Sequence, residues 1–147
     1  MKFFLRTVTA AFAGAFMIAA AHAQTFNNDR GIGAKGYDVV AYFTDGKPVK
    51  GDPQFIHQHG GVTWQFSSAE HRDMFKAEPA KYLPQYGGYC AYGVAVGGLY
   101  DVQPQTSWSV VDGKLYLNKD PGVQQTWLKD VPGYIGKAET NWPKIRK

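Results

Sequence analysis

Cys90 is the sole cysteine of the 147-residue chain, and His57, His59 and His71 are the side chains best suited to act with it. A lone thiol has several uses. It can be a buried small hydrophobe, a metal ligand, one half of a disulfide between chains, or a nucleophile. As a ligand, its thiolate is a soft donor and imidazole is a borderline one, so a Cys/His set suits copper or zinc. His57 and His59 are two apart, which on a strand puts both on one side and lets them share an ion. As a nucleophile, Cys90 needs an imidazole such as His71 to lower its pKa and backbone N–H groups, near Gly87 and Gly88, to hold an oxyanion. Asp38, Asp73 and Asp101 are the carboxylates that could orient that imidazole. The chain has no G-x-S-x-G, C-x-x-C, H-E-x-x-H or phosphate-loop pattern, and nothing in it points specifically to an enzyme.

The compartment decides how exposed such a thiol would be to oxidation. Lys2 and Arg6 precede an apolar run from Val8 to Ala21, and Ala21-His22-Ala23 leads into the polar Gln24-Thr25-Phe26-Asn27. Positive, apolar, then small-x-small is the pattern of a signal peptide over residues 1–23, cleaved after Ala23. The run is shorter than the ~20 residues a spanning helix needs, so no stable membrane anchor is expected after cleavage, and the periplasm or the exterior is the expected location. Disulfides persist there, so a cysteine without a partner in its own chain needs burial, a metal or a second chain.

Loss of Lys2 and Arg6 leaves 14 basic residues against 12 acidic ones, a formal charge of +2 in place of +4. That is too little for a phosphate-backbone footprint, so nucleic acid is not an expected partner; a metal ion or a partner protein is. The remaining 124 residues suffice for one domain, and the aromatic content supplies its core.

Along the chain, residues 24–35 read as a polar N-terminal arm and residues 36–147 as the domain. Val39-Val40-Ala41-Tyr42-Phe43 is β-branched and aromatic and predicts a strand before the turn at Asp45-Gly46. Phe55–His59 and Val62–Phe66 flank Gly60-Gly61 and predict a hairpin, with Val62, Trp64 and Phe66 on the core face. Ser67 or Ser68 caps a helix carrying His71, Met74 and Phe75 on one side. Pro79 begins another short helical turn and Pro84 stops it. The stretch 85–98 alternates glycine and rings around Cys90, implying close backbone packing, and Tyr86, Tyr89 and Tyr92 either fill the core or line a pocket. Asp112-Gly113 centres a second hairpin, Pro121 starts a helix, and a last helix spans the region Tyr134 to Trp142. The expected fold class is α+β: a small domain with two antiparallel β-hairpins and three to four short helices.

The segment from Gly61 to Phe75, G-V-T-W-Q-F-S-S-A-E-H-R-D-M-F, followed by Pro79-Ala80-Lys81-Tyr82 and by Gln85-Tyr86-Gly87-Gly88-Tyr89-Cys90-Ala91, resembles the YHS domain family, and in particular its secreted single-domain members. The likeness spans residues 36–143. It implies a small α+β unit. Metal-handling relatives carry cysteine just after the strand-end aromatic and again four residues on; here those positions hold Ser67 and His71. The resemblance therefore implies an accessory protein that binds copper or zinc through a rearranged set, His71 with Cys90, aided by His57 or His59. A protein- or ligand-binding module with a structural cysteine and a thiol enzyme using Cys90 and His71 are the alternatives.

Overall fold

The computed structural model describes residues 25–147; the expected signal peptide lies outside them. The chain folds as a small α+β domain whose strands form a four-stranded and a two-stranded sheet. Two features depart from the expected pair of hairpins, and each has a local cause.

The first is the arm. Asn28–Asp29 (β1) pairs antiparallel with Ile32–Gly33 (β2), and Ile32 then pairs parallel with Thr63. The arm is held by buried contacts. Phe26 is buried, its ring edge-on to Trp64 at 5.5 Å, and the Asn27 N–H donates to the Gly87 carbonyl at 2.8 Å. A Cβ on Gly87 would come within 2.3 Å of the Thr25 carbonyl oxygen, so glycine at this positive-φ position is what lets the arm cross.

The second departure is at Val39–Phe43, where a strand is expected and a short helix stands instead (α1, Ala41–Thr44). Asp38 decides the outcome. Its Oδ1 accepts the Val40 and Ala41 N–H groups at 2.9 and 3.2 Å, and that cap overrides the weak β preference of the two valines.

The expected Gly60-Gly61 hairpin joins Asp52–His59 (β3) to Val62–Phe66 (β4). Both glycines have positive φ. Val62, Trp64 and Phe66 are buried while Thr63 and Gln65 are not, as a period of two requires. Ala69–Ala77 (α2) lies across this sheet, with Phe75 5.0 Å from the Phe66 ring and 5.9 Å from Trp64. Ser68 caps α2 by accepting the His71 N–H at 3.1 Å, which leaves the hydroxyl of Ser67 for another role. Pro79–Tyr82 (α3) follows, then Ala91–Ala95 (α4).

Trp108–Val111 (β5) and Lys114–Leu117 (β6) form the second hairpin, with Asp112 and Gly113 both at positive φ. Pro121–Leu128 (α5) and Val131–Ile145 (α6) begin at Asp120 and Asp130, whose side chains accept the N–H groups of Val123 and Gly133. Six α-helices among the described residues replace the three to four expected, the additions being short ones. Strand β6 divides two cores by alternation. Leu115 and Leu117 join Val39, Val40, Trp64, Phe66 and Phe75, while Tyr116 joins Val94, Trp127 and Ala138.

Candidate functional site

Cys90 sits where the glycine-rich segment turns into α4. It is 1% exposed and in no disulfide. Its sulfur accepts the Gly93 N–H at 3.3 Å, closing the first turn of the helix, and donates to Asn118 Oδ1 at 3.6 Å. Asn118, fully buried, also accepts the Tyr92 N–H at 3.0 Å and donates to Gln124 Oε1 at 2.7 Å. Gln124 passes the chain on to the Trp108 carbonyl and the Ser109 hydroxyl, at 2.9 and 2.8 Å. A buried polar relay thus ties α4, the end of β6, α5 and β5 together, and the thiol is its first member. Burial pushes the Cys90 thiol up from its ordinary value, against the opposing pull of the Gly93, Lys119 and Tyr92 N–H groups. Burial thus works against the thiolate, the form that attacks or ligates.

Above the sulfur lies an open groove of about 230 Å³ lined by Cys90, Tyr92, Gly93, Val96, Tyr100, Lys119 and Val123. Its rim is apolar and exposed, Val96 at 57% and Tyr100 at 47%. The glycines create it. A Cβ on Gly93 or on Gly98 would meet the Tyr100 ring at 2.5 Å, so the ring can lie flat against the backbone only because both positions lack a side chain. The Cys90 N–H fixes the same stretch by donating to the Tyr100 carbonyl at 3.0 Å. Lys119 extends over the Tyr100 ring, its Nζ 5.7 Å from the centroid.

His71 stands in a different constellation. Its Nδ1 is 2.6 Å from Asp38 Oδ2, and its side chain is 13% exposed. The same carboxylate oxygen accepts the Ser67 N–H and hydroxyl, at 2.9 and 2.7 Å. Of the three carboxylates that could orient the imidazole, Asp38 is the one that does. Its five donors come from α1, the end of β4 and α2, so the carboxylate fastens those three elements to one point. On the other ring nitrogen, Nε2 meets Thr44 Oγ1 at 3.3 Å and lies 3.9 Å from Asp45 Oδ1. Hydroxyl, imidazole and carboxylate stand in a row, but Thr44 Oγ1 is also engaged with the Val40 carbonyl and Asp45. Ser67 Oγ and His71 Nδ1 also lie 3.4 Å apart beside this carboxylate.

His57 and His59 pair across the strands with Trp64 and Val62, so they share the covered face of the sheet. Both rings stand edge-on to Phe75, at 6.0 and 5.9 Å. They are together, as their spacing requires, but their common neighbour is an aromatic ring. Cys90, His71 and the His57/His59 pair have separate partners, and no group of three or more His, Cys, Asp or Glu among the described residues is placed to hold a metal ion.

Of the three tyrosines expected in the core or in a pocket, Tyr86 is in the core with its hydroxyl on Glu139, Tyr89 lies near Trp142, and Tyr92 lines the groove. Sequence reasoning missed Asn118, Tyr100 and Lys119. Asn118-Lys119 follows a strand and reads as loop. The one signal was Gly93, Gly97 and Gly98 standing close before Tyr100, a pattern that fits a ring seated on bare backbone. No helix among the described residues is long and apolar enough to cross a membrane. Compared with family models, with curated proteins and with solved structures, the chain matches none.

Proposed function

We propose that this chain is an extracytoplasmic YHS-like binding module that takes a small ligand, without turnover, in the groove over Cys90, with the cysteine serving as scaffold. The observation that carries this reading is the use made of the sulfur: it is buried, it caps α4 and it belongs to the Asn118–Gln124 relay. Its burial also gives the protection that an unpartnered thiol needs in an oxidising compartment. The groove beside it has the apolar walls and the few polar groups usual in ligand sites, and its size fits a single ring or a short branched chain. Amide chemical-shift mapping with single-ring fragments tests the proposal. Shifts gathered at Tyr92, Val96, Tyr100 and Val123, retained in Cys90→Ser, support it. Shifts scattered over other faces, or binding that vanishes with the sulfur, overturn it.

A second reading keeps the metal and rests on His57 and His59 sharing one face of β3. The pair is roughly 7 Å apart along the strand, within reach of one copper or zinc ion once the rings turn away from Phe75. Titration of the protein with Cu(II) and Zn(II) decides it. This reading expects His57→Asn and His59→Asn to lose binding and Cys90→Ser to keep it, and it fails where all three bind alike.

A further inference from the structure

The groove over Cys90 is not isolated. Lys119, one of its lining residues, also lines a second, polar depression of about 330 Å³ with Lys35, Asp101, Val102, Gln103 and Gln105. The two meet at this lysine. On the polar side the charges of Lys35 and Asp101 are spent on each other at 2.6 Å. Lys119 makes no ion pair among the described residues, and it is the only charged side chain on the apolar groove. Asp120, its neighbour in sequence, accepts the Val123 N–H at 2.8 Å, and its negative charge is among the causes that push the Cys90 thiol up. The site as a whole is therefore an apolar slot with one positive side chain, Lys119, held in no ion pair among the described residues, and with amide side chains beyond it.

We infer that the occupant is a small monoanionic organic acid: a ring or short branched body in the slot over Cys90, its carboxylate against the Lys119 ammonium, and any further polar groups toward Gln103 and Gln105. This deepens the binding-module reading and rests on it. A cationic ligand would meet Lys119 with like charge. A neutral apolar one would gain only from burial.

The test uses 3-phenylpropionate, 3-phenylpropionamide and 3-phenylpropylamine on the protein carrying residues 24–147, followed through the amide signals of Tyr92, Val96, Tyr100 and Lys119. Ligands of this size bind with Kd on the order of 1 mM. The acid is expected to bind about two- to fivefold tighter than the amide, the span of an exposed ion pair, and the amine weakest. The margin should shrink as salt rises, vanish in Lys119→Gln and return in Lys119→Arg. Lys119 is exposed, and an unchanged dispersion of amide signals checks that its variants fold. Equal affinity for acid and amide overturns the anion assignment and leaves the groove reading intact. Absence of all three ligands from these four signals overturns the groove reading itself.

Discussion

His71 Nδ1 lies 2.6 Å from Asp38 Oδ2, and the Asp38 side chain has no exposed surface. Removing a partner from such a pair costs more than the pair contributes, because the remaining group stays buried with its needs unmet. Asp38→Ala strips an acceptor from the Val40, Ala41 and Ser67 N–H groups, the Ser67 hydroxyl and the imidazole. It is expected to cost about 3–5 kcal/mol in urea unfolding. His71→Ala removes one of those five donors and should cost clearly less, and equal losses would show that the imidazole alone accounts for the effect.

Cys90 is expected to resist alkylation by iodoacetamide at neutral pH. Reaction must wait for an opening of the fold, and each 1.4 kcal/mol of opening free energy slows it tenfold, so slowing by at least about 100-fold relative to urea-unfolded protein is expected. A native rate near the unfolded one would reinstate a reactive thiol. The raised pKa adds a pH dependence. Stability from the thiol is complete below the unfolded value of about 8.5 and falls as pH rises toward the higher folded value. Cys90→Ala should abolish that alkaline slope and cost about 0.5–2 kcal/mol for the lost cap.

Phe26→Ala tests whether the arm belongs to the core. A fully packed phenylalanine lost to alanine costs about 3–5 kcal/mol, whereas a ring on a loose arm costs almost nothing. The midpoint of urea unfolding distinguishes the two outcomes.

The arm also explains what the sequence conceals. Asn27-Asn28-Asp29 and Gly31-Ile32-Gly33 carry no apolar period, and their order comes from partners 30 to 60 residues away, Thr63 and Gly87. Elements whose cause is local were legible: Gly60-Gly61 and Asp112-Gly113 dictate their turns, and Val62, Trp64 and Phe66 dictate their face. Val39–Phe43 has the composition of a strand, and the Asp38 side chain, by capturing two N–H groups, turns it into a helix. At the candidate site, His57 and His59 stand on one face as their spacing demands. Nothing local, though, shows that Phe75 stands before them, or that Asp38 and not Cys90 is the partner of His71.

Asp101 carries the acid-side prediction. Partial burial works to raise its pKa, but the Lys35 ammonium, the Asn27 amide and the Val102 N–H outweigh this and hold the carboxyl below the usual carboxylate range. The stability it contributes is present above the unfolded value of about 3.9 and is lost as pH falls through the lower folded value. The side chain is 63% exposed, so the contribution is within about 1 kcal/mol. Asp101→Asn should lower the urea midpoint at pH 7 and merge with the parent protein at the acid end. A constant difference at all pH values would mean that charge is not involved.

Gly93→Ala pits two effects against each other. Alanine favours the helix by up to about 1 kcal/mol, while its Cβ collides with the Tyr100 ring. Tyr100 is half-exposed and can swing out, so stability should change by under about 1 kcal/mol while the groove is lost. Tyrosine solvent accessibility and fragment binding would report that loss; strong destabilisation would show the ring to be fixed.

Phe26 and Asn27 reach across to Trp64 and Gly87, so the arm takes its final place only after some sixty further residues have been joined to it. Until residue 87 has been added, the Asn27 N–H lacks the carbonyl that anchors the arm.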